Sequence, residues 1–216
     1  MTPNIRKFTL TAHVASSVAW IGAVASFLVL SITGLTSKDA QVIRAAYLSM
    51  NLIGQWVIVP LSFLALTSGL VQSVGTEWGL FRHYWVLTKF VLTIGATFLL
   101  LLHQFTAVSG AARHVSMTAA ETVPDVGVFG TQLVGDSVLA IVVLLTTTVL
   151  SVYKPWGRTR YARRQQQALT PSAPGNEITA ESMPFGLKAL LAMIGLIGVG
   201  FVLTHLIGGG FRMHAH

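Results

Sequence analysis

Apolar residues in this chain come in runs too long for most elements of a soluble protein. Five such runs lie at roughly 8–33, 47–73, 84–107, 132–153 and 184–207, and each exceeds the ~20 residues an α-helix needs to cross bilayer hydrocarbon. Barrel strands would be about half that length and would alternate in polarity; these runs do neither. The pattern therefore predicts an all-α polytopic membrane protein. A four-helix transmembrane core occupies 1–160, a basic and then Pro/Ser/Gly-rich cytoplasmic linker 161–183, and a fifth transmembrane helix with an outer tail 184–216. Pro60 falls inside the second run and is expected to kink that helix.

Within each run the few polar and small residues recur at helical spacing and so share one face. In the first this face carries His13, Ser16, Ser17, Trp20 and Ala23; in the second Asn51, Gln55, Ser62, Ala65 and Gly69. In the third it carries Trp85, Lys89, Thr93, Ala96 and His103; in the fourth Asp136, Ala140, Thr147 and Ser151; in the fifth Gly195, Gly198 and His205. Small residues let helices approach closely and polar ones avoid lipid, so plain packing accounts for the Ser, Thr, Ala and Gly of these stripes.

Composition agrees: 53% of residues are hydrophobic and 10% charged, against about a quarter charged in soluble domains. There is no cysteine, which excludes disulfides, thiolate metal sites and iron–sulfur clusters. The net charge is +7, and its placement matters more than its size. Lys154, Arg158, Arg160, Arg163 and Arg164 crowd the stretch KPWGRTRYARR directly after the fourth run, as cytoplasmic loops do. Counting back puts the N-terminus, with Arg6 and Lys7, on the same side. Because the basic run abuts a span it reads as a topology signal with some attraction for anionic lipid, and nucleic acid is not an expected partner. The apolar stretch after Arg6 and Lys7 is too long for a signal-peptide core, and no cleavage site follows it. The expected location is the bacterial inner (plasma) membrane.

The ionisable residues inside the runs need more than packing, because a charge in the bilayer costs several kcal/mol. With the N-terminus inside, His13 lies about 8 Å from the cytoplasmic face at ~1.5 Å per residue, Lys89 at a similar depth, and His83 at the interface. Lys89 can snorkel from that depth. His103, His205, Asp136, Asn51 and Gln55 form an outer layer; His103 is about 21 Å from Lys89 along its helix.

Neutral imidazoles on bundle-facing stripes are ligands for haem iron or another transition metal. His103 and His205 satisfy the depth condition for clasping one haem, and His13 is a candidate axial ligand on the inner side; His83 and Asp136 are weaker candidates. Lys89 can offset a haem propionate or bind an anionic substrate. Each His can instead hydrogen-bond a neighbouring helix and nothing more. Copper is the alternative metal, since Met50, Met117, Met213, His214 and His216 gather on the outer side and thioether and imidazole suit it.

The stretch HVASSVAWIGAV, with His13 seven residues before Trp20, resembles the opening helix of HemJ-type protoporphyrinogen oxidases. WVLTKFVLTIGATFLLLLH resembles that family's W-x-x-x-K helix, matching at Trp85 and Lys89 with His103 at its end. The layout is also similar to the copper-resistance D membrane proteins. Residues 5–160 as a whole resemble a family of uncharacterised bacterial integral membrane proteins through GLVQSVGTEWGLFRHYWVLTK and LSVYKPWG. The HemJ-type resemblance implies b-type haem, with His13 matching the haem-binding His and Lys89 the essential Lys. After the first helix this chain reads SFLVLSITGLTSKDA where those enzymes are Arg- and Tyr-rich, and it adds a fifth helix. The resemblance thus implies haem binding and does not carry protoporphyrinogen oxidation with it. The expectation is a haem b protein with an electron-transfer or oxidoreductase role, a redox partner or quinone, and possible assembly as a homo-oligomer. A copper transporter or resistance protein, and a cofactor-free membrane subunit, remain the alternatives.

Overall fold

The structure, a computed structural model, describes residues 2–75, 83–119 and 122–153. It is all-helical, and among the described residues four helices are long and apolar enough to cross a membrane. They are α1 (Pro3–Thr36), α2 (Ala40–Gly75), α3 (Tyr84–Met117) and α4 (Gly127–Tyr153). The expected fifth helix at 184–207, with His205, the basic run, the linker at 161–183 and Met213, His214 and His216, lies outside the described residues.

Local chemistry sets the first reversal. Pro3 sits in the opening turn of α1, where its missing N–H costs nothing. Ser37 leaves helical geometry, and the Asp39 carboxylate caps α2 by accepting from the N–H groups of Gln41 (2.7 Å) and Val42 (3.3 Å). The three-residue link 37–39 makes α2 antiparallel to α1. α1 packs along α2 and α4, and α3 packs along the same two helices. The bundle is therefore a square in which α1 and α3 stand on one diagonal and run parallel.

All four helices extend further than their apolar runs predict, α1 from Pro3 to Thr36 against 8–33. α2 begins at Ala40 rather than near 47, α3 continues to Met117 rather than 107, and α4 begins at Gly127 rather than 132. The 34 residues of α3 span about 51 Å at ~1.5 Å each, against ~30 Å of hydrocarbon. The extra turns form a cap at the end of the bundle where α1 and α2 join, with apolar stripes buried against one another. Ile43, Tyr47 and Met50 of α2, Val115 of α3 and Leu133 of α4 are all fully buried there. Tyr47 is pinned by two glycines: a Cβ on Gly34 would come within 2.7 Å of its Cε2, and one on Gly130 within 2.9 Å of its Oη. Arg44 ties the cap to the following loop by donating from Nη2 to the carbonyls of Thr118 (2.9 Å), Ala119 and Thr122 (3.4 Å).

The expected kink at Pro60 takes a specific form. A π-turn at Gly54–Ile58 lies immediately before it in α2. Pro60 has no N–H for the carbonyl four residues back, and its ring crowds that carbonyl; the wider turn accommodates both. The same turn resets the register. Gly54 and Ile58 face the bundle, and Gln55, expected in the outer polar layer, faces outward. A second π-turn, Gln104–Val108, lies opposite in α3.

Candidate functional site

The inner layer is built from all four helices. His13 of α1 lies against α2, where a Cβ on Gly69 would stand 3.0 Å from its Cε1. Its Nδ1 is 3.0 Å from the Ala65 carbonyl and 3.1 Å from Ser68 Oγ. Its Nε2 is 3.3 Å from Lys89 Nζ of α3, which donates on to Ser151 Oγ of α4 at 2.6 Å. An ammonium only donates, and a backbone carbonyl only accepts. The tautomer follows: His13 is neutral, its proton on Nδ1 and its Nε2 lone pair turned inward to Lys89. The His13–Lys89 hydrogen bond crosses the diagonal of the square.

The outer layer joins α2, α3 and α4. His103 Nδ1 is 3.1 Å from Asp136 Oδ2, a buried ion pair when the ring is protonated. Beside it Gln104, 3% exposed, donates from Nε2 to Asn51 Oδ1 at 3.2 Å and to the Asn51 carbonyl at 3.4 Å. Gln104 reaches Asn51 because Gly54 has no side chain; a Cβ there would fall on the Gln104 carboxamide. Trp56 and Phe105, both exposed, lie within the two π-turns on their outward side.

The two layers are separate. Lys89 to His103 on α3 and Ser151 to Asp136 on α4 are each about 21–22 Å at ~1.5 Å per residue, so His13 and His103 belong to different sites. His83 precedes α3 in extended conformation at the inner edge, with its ring 6.4 Å from that of Trp85. It is not brought to His13 by any described contact. Met50 is sealed in the cap core and Met117 is exposed. Among the described residues no group of three or more His, Asp or Glu side chains is placed to hold a metal ion. A haem needs only one or two axial imidazoles; His13 turns its Nε2 inward, where in this structure it accepts from Lys89.

Ser68, Ala65 and Gln104 were not among the expected site residues. Ser68 and Gln104 sit next to residues on the polar stripes, and an ideal helix turns such neighbours about 100° away. Ala65 acts through its backbone, which no side-chain pattern reveals.

No protein-family model, curated protein or solved structure matches this chain.

Proposed function

We propose that this is a b-type haem-binding membrane protein with an electron-transfer or oxidoreductase role, its N-terminus cytoplasmic in the bacterial inner membrane. One observation carries the reading. His13 has Nδ1 held by the Ala65 carbonyl, and His103 has Nδ1 3.1 Å from an oxygen of the Asp136 carboxylate. Histidines that ligate metals are oriented in this way, which fixes the tautomer and raises the basicity of the other ring nitrogen. His13 and His103 would hold haem in the inner and outer layers, and Lys89 would pair with a propionate. Bound haem supplies a one-electron couple. The protein's part is to keep the imidazoles oriented and water out.

A cofactor-free reading is favoured by a different observation: Lys89 Nζ already satisfies His13 Nε2 and closes a network across all four helices. The two readings part on one measurement. Protein purified from haem-replete cells is expected to show a Soret band that His13→Ala and His103→Ala each diminish. A colourless, monodisperse preparation from the same cells overturns the haem reading.

A further inference from the structure

Midway between the two layers the bundle holds two hydrogen-bond donors that have no acceptor among the described residues. Trp20 of α1 and Thr97 of α3 are each 4% exposed, and both Trp20 Nε1 and Thr97 Oγ1 are buried without a partner. The Thr97 hydroxyl departs from the habit of its own helix. Thr88, Thr93 and Thr106 each donate to the carbonyl four residues back, the usual refuge for a hydroxyl in an apolar setting. Thr97 does not.

Their depth follows from the inner layer. The His13–Lys89 hydrogen bond pins α1 and α3 in register, and the two helices run parallel. Trp20 is seven residues beyond His13 and Thr97 eight beyond Lys89, so both lie about 10–12 Å deeper into the bundle at ~1.5 Å per residue. They stand on diagonal helices at about one level, each buried within the bundle. Ala96 of α3 and Leu144 of α4, seven residues from Lys89 and Ser151, lie near that level.

Such a pair is costly, because a buried donor left unmade forfeits its full desolvation free energy. A guest that removes the cost must dissolve in the bilayer, present acceptors at two opposite ends, and need no acceptor or charge from the protein. Phospholipid carbonyls meet the first need but lie at the interface, away from this level. A para-quinone meets all three.

We propose that the bundle axis between the two histidine layers is a quinone-binding site, its two carbonyl oxygens accepting from Trp20 Nε1–H and Thr97 Oγ1–H. This names the partner of the electron-transfer reading, and its test reports on each separately. The full chain in lipid nanodiscs is titrated with decylubiquinone, with empty nanodiscs as the partition control. Expected are saturable quenching of tryptophan fluorescence at one quinone per chain and a downshifted quinone C=O stretch in the infrared. Trp20→Phe and the isosteric Thr97→Val are each expected to weaken binding roughly tenfold, the equivalent of one net hydrogen bond, and to relax the carbonyl shift. Thr97→Val keeps the shape of the core, so folding is preserved in that variant even where Trp20→Phe leaves a cavity. His13→Ala is expected to diminish haem absorbance and leave quinone affinity unchanged. The proposal is overturned if quenching merely tracks partition into empty nanodiscs. It is equally overturned if both variants bind like the parent, or if a bound water satisfies the two donors and no carbonyl shift appears.

Discussion

Gly54 is the position where one methyl group should have the largest readable effect. A Cβ there would lie within 2.8 Å of Gln104 Cδ and 3.1 Å of its Nε2, distances that real Cβ contacts do not tolerate without movement. Gln104 is packed on the opposing π-turn and is buried, so its carboxamide has no room to shift and keep Asn51. Gly54→Ala thus combines an overpacking cost of about 1–3 kcal/mol with a lost, part-buried hydrogen bond of about 1 kcal/mol. A total near 2–4 kcal/mol is expected. Gln104→Ala removes the same hydrogen bond and leaves a cavity next to Gly54, for about 2 kcal/mol. In the double variant the new methyl enters that cavity, so the two costs must not add; a coupling of at least about 1.5 kcal/mol is expected, where independent sites add within about 0.5. The assay is reversible SDS unfolding in bicelles, followed by circular dichroism, over the four corners of the cycle. Additivity within about 0.5 kcal/mol would refute the contact, and with it the account of why α2 and α3 approach at their π-turns.

Ser151→Ala should destabilise by about 1 kcal/mol, in the range of polar interhelical contacts in membranes, and the loss should vanish in a Lys89→Met background because Lys89 is the donor; equal losses in both backgrounds would refute the pairing. Gly69→Ala pushes its Cβ to 3.0 Å from His13 Cε1 and should displace the ring from Ala65, visible as a changed imidazole 15N signature; an unchanged signature would mean the ring has slack there. Because the chain lacks cysteine, a single Ser37→Cys reports topology cleanly: an impermeant maleimide should label it in spheroplasts, and labelling only after lysis would invert the proposed orientation.

The transmembrane part of the fold was legible because a run of ~20 apolar residues has few alternatives to a spanning helix. The cap was not. Residues 40–46 and 108–117 are punctuated by Arg44, Arg113, Ser and Gly, and only tertiary packing reveals that Ile43, Ala111 and Val115 share a buried side. The π-turns were equally hidden. Pro60 announces a disturbance in α2, but nothing local announces its counterpart at Gln104–Val108, and one widened turn sufficed to send Gln55 outward. Depth arithmetic placed His13 with Lys89, and His103 with Asp136, in common layers; which atoms meet depends on helix rotation, which a sequence does not state. The diagonal relation of α1 and α3, on which the His13–Lys89 contact depends, is likewise a product of assembly.

Whether Lys89 belongs to the fold or to a chemistry can be decided by what it costs. A Lys in a spanning helix carries about 2.5–3.5 kcal/mol on insertion scales at the bilayer centre, and less at the depth of Lys89, where it is partly relieved by snorkelling. Its two partners, His13 Nε2 and Ser151 Oγ, are neutral dipoles, and no carboxylate pairs with it among the described residues. Polar contacts between membrane helices average about 0.6 kcal/mol each and rarely exceed 1.7. Two of them recover about 1–2 kcal/mol, short of the cost even after a discount for depth. A bundle selected only to pack would do better with an unbranched apolar side chain at 89. Lys89→Met is accordingly expected to unfold in SDS with a stability equal to the parent's or up to about 1 kcal/mol higher, while losing haem absorbance or shifting its redox midpoint. Should the variant instead lose 2 kcal/mol or more, the ammonium is structural glue, and the cofactor-free reading of the inner layer gains what the haem reading loses.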